Sequence, residues 1–342
     1  MNGMERLQAA VNKTPADRIP IFCNLLEQGM RELAMPAREY YASGENIATA
    51  QLQMRKKYGY DNLWSLFYVG REAQLLGCRH IVYAEDGPPN VGDMVIRTLE
   101  DIERLEVPAS VLEHPLFAEE RICLDILRRE AGGKYPICAY ITATMTLPAI
   151  LMGMEKWLPL LINGPVPERD HLLALCHDFF VKEVAAYRAA GADILLYSNP
   201  FGSLDMIPKT FFEQQSLAWI KKDFAAVGTS DLVYYCGGAR MNPVLDRICR
   251  ETQIGSYFLG PQDDVAEGKA QIAGRGLCCG IINDIPLIDW TPQQVREEVR
   301  RLIAAGKPGG QFLFGTLLMP CAIPEANIRA LMEAALEFGR WP

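Results

Sequence analysis

The chain has 342 residues, a net charge of −8 and a pI near 5.2, with 49% hydrophobic and 22% charged residues. That apolar fraction fills a sizeable core, and the acidic balance argues against a nucleic-acid-binding surface. Apolar runs such as Ile194–Tyr197 and Leu147–Met154 are cut by Pro, Gly or charge well short of the roughly 20 residues that span a bilayer, so no membrane span is expected.

The amino terminus, Met1–Leu7, is polar and mixed in charge and lacks the basic-then-apolar order of a secretory signal, which reads as a cytoplasmic chain. A reducing compartment leaves the ten cysteines as free thiols, each a packing residue, nucleophile or metal ligand rather than half of a disulfide. Apolar runs of strand length then alternate with stretches of helical period. The strand candidates are Ile19–Phe22, Asn62–Ser65, Ile137–Ile141, Asp193–Tyr197, Leu232–Cys236, Ser256–Leu259, Leu277–Ile281 and Gln311–Phe314.

Among the helices, Thr291–Gly306 is the clearest: Thr caps, Pro opens, Gly closes, and Val295, Val299, Leu302 and Ile303 share one face. Pro324–Phe338 repeats the design. Strands alternating with helices along residues 1–342 predict a (β/α)₈ TIM-type barrel with an N-terminal extension, a doubly wound open sheet being the alternative. The extra length falls in residues 66–136, read as a cap inserted over the barrel, with a hairpin or loop at Tyr83–Pro89. No glycine-rich phosphate or dinucleotide loop follows a strand. His80, His114, His171 and His177 lie away from the strand ends and read as structural or surface residues.

In a barrel, chemistry collects where strands run into their following loops. Cys236 ends the fifth strand candidate and Cys321 follows the eighth, so both can reach one mouth. Thiolates suit Zn²⁺, and a catalytic zinc site needs three protein ligands. The pair is therefore either part of a metal site or a pair of core residues. Cys278 and Cys279 compete weakly, because neighbours on a strand face opposite ways.

Several segments resemble the uroporphyrinogen decarboxylase superfamily, including its corrinoid-dependent methyltransferase branch: Met4–Ala10, Asp17–Pro20, Arg71–Gly77, Leu147–Met154, Gly191–Ser203, Tyr235–Gly237 and Cys321–Leu331. The resemblance covers nearly the whole chain and implies the same barrel. Where the decarboxylases carry arginines and an aspartate for their tetrapyrrole, this chain reads Ile21–Met30 without arginine and Asn62–Tyr68 without an acid, so decarboxylation is not expected. The methyltransferase branch implies a zinc held by a His-x-Cys pair and a distant Cys. Cys236 and Cys321 match the cysteines, and Tyr234 stands at the His position. Tyr234 then either ligates or packs, with Glu27 or Glu85 as candidates to complete the shell.

The function so implied is O-demethylation: methyl transfer from a small methoxylated aromatic substrate to the Co(I) of a corrinoid carried by a partner protein. The alternatives are transfer from a methylcorrinoid to a thiol such as coenzyme M, and a noncatalytic corrinoid-binding barrel. The expected pocket wall is Trp64, Phe67, Tyr68, Met145, Tyr197, Phe201 and Tyr235, flat enough for an aromatic ring. Asn199 either positions a ring substituent or forms a turn before Pro200, and with Tyr234 is the candidate catalytic pair.

Overall fold

The computed structural model describes residues 1–84 and 87–341. Its main sheet has eight parallel strands: β1 (Ile21–Asn24), β2 (Leu63–Trp64), β3 (Ile137–Thr142), β4 (Ile194–Ser198), β5 (Leu232–Tyr235), β6 (Ser256–Phe258), β7 (Leu277–Ile282) and β8 (Phe312–Leu318). From β2 to β8 each strand pairs with its sequence neighbour and β8 returns to pair with β1, so the order never reverses. That excludes the doubly wound sheet, whose strand order turns back at a switch point. The fold is the expected TIM-type barrel.

The ladder stops between β1 and β2, and side chains close that seam. Asp61 donates its amide to Ile21 O at 2.8 Å and accepts the Ile21 amide on Oδ2 at 2.8 Å. Asn62 Oδ1 accepts from Cys23 N at 2.9 Å, and Trp64 Nε1 donates to Cys23 O at 3.1 Å. Asp61 is fully buried, and its charge is matched by Arg18 and Arg6, whose Nη1 donates to Oδ1 at 2.9 Å. A buried carboxylate is tolerated only when paired and hydrogen-bonded in this way.

Two apolar layers follow from strand alternation. Inside the barrel lie Phe22, Trp64, Cys138, Tyr140, Leu196, Val233, Phe258, Cys279, Ile281 and Leu313. The other faces of the strands pack against the helices. The N-terminal helix Gly3–Asn12, capped by Asn2, sends Leu7 and Ala10 against the interior cluster and forms the extension. In segment 66–136, the strands Ile81–Val82 and Asn90–Val91 pair antiparallel, and helix Ala118–Ala131 packs on Gly44–Tyr58. Among the described residues no helix is long and apolar enough to cross a membrane.

Candidate functional site

The C-terminal ends of the strands carry an aromatic cluster. Trp64 stacks on Tyr140 with ring centroids 4.9 Å apart, and Phe67 stacks on the same ring at 4.3 Å. Tyr235 meets Tyr140 and Phe258 edge-on, each at 6.2 Å. Such pairs contribute about 0.5–1.5 kcal/mol each beyond their burial. Asn24, fully buried at the end of β1, donates from Nδ2 to the Tyr140 hydroxyl at 3.0 Å and so fixes the central ring. Phe67 and Tyr235 stay half-buried and offer ring surface at the mouth. Trp64 and Phe258 also border a cavity of about 150 Å³ on the opposite side, lined by Leu7 and Val11 of the first helix.

The expected wall is thus divided. Trp64, Phe67 and Tyr235 belong to the interior cluster, whereas Tyr68, Met145, Tyr197 and Phe201 pack in the outer layer. The physical reason is register: Tyr197 pairs with Tyr234, and both face the helices. The Tyr197 hydroxyl donates to Asp223 Oδ2 at 2.7 Å, alongside Thr144 Oγ1 at 2.6 Å and His177 Nδ1 at 2.7 Å. Tyr68 turns to Gln74, its hydroxyl 2.6 Å from Oε1, and packs edge-on against Tyr41.

Tyr234 and Asn199 do come together, in a buried scaffold. Asn199 Nδ2 donates to the Tyr234 hydroxyl at 3.3 Å and to Ser216 Oγ at 3.4 Å, and Oδ1 accepts from Thr146 at 3.2 Å. Its amide donates to Tyr235 O at 2.7 Å, extending the β4–β5 pairing beyond the strand ends. Asn199 therefore ties the loops after β3 and β4 to the end of β5. Burial pushes the Tyr234 phenol far above its ordinary value, which opposes a phenolate.

The two candidate thiols have different surroundings. Cys236 donates to Ala239 O at 3.0 Å, and burial, reinforced by Asp263 and Asp205, pushes its thiol well up. Gly237 follows in the left-handed region (φ 68°), and a Cβ there would meet Pro200 at 2.8 Å, so the turn after Cys236 requires glycine. Cys321 sits across the β8–β1 loops: its amide donates to Glu27 Oε2 at 3.0 Å, and Gln28 Nε2 donates to Met319 O and Pro320 O. Glu27 is thus beside Cys321, while Glu85 lies outside the described residues. Asp263, which the sequence reading passed over, holds the amides of Met241, Asn242 and Gly260. Among the described residues no three His, Cys, Asp or Glu side chains gather that can hold a metal ion. As these side chains stand they do not fit zinc.

The sequence reading also missed Asp284. It lies two residues past the end of β7 and is only 4% exposed. Its charge bears on Tyr140 and Tyr235, and burial lifts its carboxyl to about 6. An acid placed just beyond an apolar barrel strand was the available signal.

A parallel (β/α)₈ barrel with rings and buried carboxyls at its strand-end mouth belongs to the barrels that work from their C-terminal face. The sequence pattern of the uroporphyrinogen decarboxylase (URO-D) family matches residues 2–338, and the chain belongs to that family. It is 24% identical over 348 aligned positions to the methylcobamide:CoM methyltransferase MtbA of Methanosarcina acetivorans, covering 98% of this chain and 97% of that protein. It is 22% identical to MtaA of Methanosarcina barkeri, also a methylcobamide:CoM methyltransferase, with 97% of each covered. A solved methyltransferase from Methanosarcina mazei superposes with a TM-score of 0.84 at 20% identity over 99% of both chains. A B12-independent methionine synthase from Shewanella shares the fold more distantly, at a TM-score of 0.55, 14% identity and 88% of both chains.

Proposed function

We propose that the chain is a corrinoid-linked methyltransferase that passes a methyl group from a methylcorrinoid, presented by a partner protein, to a small thiol held at the barrel mouth. The observation carrying this reading is the end-to-end similarity to two methylcobamide:CoM methyltransferases. It favours the thiol direction over the O-demethylation expected from the sequence.

The methylcorrinoid supplies an electrophilic methyl group, and the chain's own residues must orient its acceptor. Displacement needs sulfur, carbon and cobalt nearly in line. Phe67 and Tyr235 offer apolar surface beside the acceptor, and the Asn24–Tyr140 hydrogen bond keeps the wall rigid. Ile285, 60% exposed beside Asp284, adds apolar surface where a partner would approach.

A second reading is supported by the same rings, since their flat faces suit a methoxylated aromatic donor. Absorbance spectroscopy separates the readings. Loss of methylcobalamin on adding coenzyme M is expected. Formation of methylcobalamin from cob(I)alamin and a methoxylated arene would instead favour demethylation, and neither change would leave a noncatalytic corrinoid-binding barrel.

A further inference from the structure

We propose that the cavity at the floor of the barrel is a binding site for a neutral, apolar molecule of about the size of benzene. Its volume is about 150 Å³, and Ile194, Leu232, Ser256 and Leu277, each the first residue of its strand, lie on its wall. The site therefore sits at the N-terminal ends of the strands, on the far side of Trp64 and Phe258 from the mouth.

Lining, charge and size converge on that ligand. Cys138, Leu196, Val233, Cys279 and Leu313 line it from the interior cluster, and buried thiols of this kind behave as small apolar groups. Leu7 and Val11, four residues apart and so on one face of helix Gly3–Asn12, cover it from below. Among the described residues, none that line the cavity has a buried side-chain nitrogen or oxygen without a hydrogen-bond partner. A buried water needs about two to four polar partners, so the space stays dry, and a dry cavity of this size accepts benzene or xenon. The charged side chains on its rim are two acids, both engaged. Asp193 accepts from Arg128 and from the Ile137 amide, each at 3.0 Å, and Asp231 accepts from Arg188 at 2.6 Å. An anion meets only acids there and a cation would have to displace an arginine, which leaves a neutral occupant. An occupant also restores contact atoms to the faces of Trp64 and Phe258, the rings that meet Tyr140 and Tyr235 at the mouth. Val11, 48% exposed in the last turn of the helix, marks the way in from solvent.

The test uses the full chain. Crystals pressurised with xenon, a probe of the same apolar class, should show a xenon atom against Leu7, Cys138 and Cys279. In solution, benzene near its solubility limit should raise Tm by about 2 °C. Phenol, whose hydroxyl finds no partner in the cavity, should raise it by less than about half as much. Cys279→Leu, which fills part of the space, should remove the benzene shift. A cavity without xenon, no benzene shift, equal shifts from benzene and phenol, or an undiminished benzene shift in Cys279→Leu overturns the assignment. Should Cys279→Leu fail to fold, the xenon position and the contrast between benzene and phenol in the wild-type chain decide it.

Discussion

Asp61→Ala removes the acceptor at the seam where the strand ladder stops. In the folded chain this fully buried carboxylate takes hydrogen bonds from Arg18 Nη1, from Arg18 Nη2 at 2.9 Å, from Arg6 Nη1 at 2.9 Å and from the Ile21 amide at 2.8 Å. Arg6 keeps a second partner in the half-exposed Asp17, so its loss is small. Arg18, 7% exposed, keeps only backbone carbonyls. Stranding one member of a buried pair costs about 3–5 kcal/mol, and an orphaned buried amide about 1–3 kcal/mol. The losses share one acceptor and do not add in full, so we expect about 4 kcal/mol. Guanidinium unfolding followed by tryptophan fluorescence measures this. Asp61→Asn, which keeps an oxygen for the Ile21 amide, should lose less. A loss below about 1 kcal/mol for Asp61→Ala would refute the claim that this carboxylate closes the barrel.

Glu72 and Glu183 flank Thr142 with one unpartnered buried oxygen each, and burial raises Glu72 to about 7 and Glu183 well above its ordinary value. The folded chain thus binds protons that the unfolded chain releases, so stability should fall as pH rises from about 4.5 through about 7. The Glu72 share is about 3 kcal/mol, and Glu72→Gln should flatten the decline in urea titrations; parallel slopes would count against it. Tyr235→Ala should slow methyl transfer about tenfold or more and, through its two lost ring pairs, cost about 1–3 kcal/mol of stability. Tyr197→Phe, losing its bond to Asp223, should cost about 2 kcal/mol and leave the transfer rate intact. The reverse pattern of rates would mean that the two rings are misassigned. Elemental analysis should find zinc well below one per chain in wild type, Cys236→Ala and Cys321→Ala. One zinc that disappears in both variants would require the loops after β5 and β8 to rearrange around a shared metal.

The barrel was legible because its signals are local. Thr291 caps helix Pro292–Gly306 by accepting from Gln294 N, as the sequence implied, and the last helix begins at Glu325, one residue from its expected start. Strand ends were less legible. Tyr234 and Tyr235 are adjacent and both apolar, and a strand buried on both faces has no polar alternation to reveal which ring enters the interior. β8 runs to Leu318 rather than Phe314, placing Thr316 where it accepts from the Asn24 amide. The seam escaped for another reason: it depends on residues far apart in the chain, Arg18 meeting Asp61, so no local pattern announces it, whereas Asp284 carried only the weak signal of an acid just past an apolar strand.

The most direct test of the central claim follows the methyl group itself. Methylcobalamin carrying an isotopically labelled methyl is incubated with the purified chain and coenzyme M, and the thioether product is examined by mass spectrometry. The account predicts protein-dependent label in methylated coenzyme M, reduced in Tyr235→Ala and retained in Tyr197→Phe. Label that stays on cobalt with the wild-type chain, at a rate no different from buffer, would contradict it.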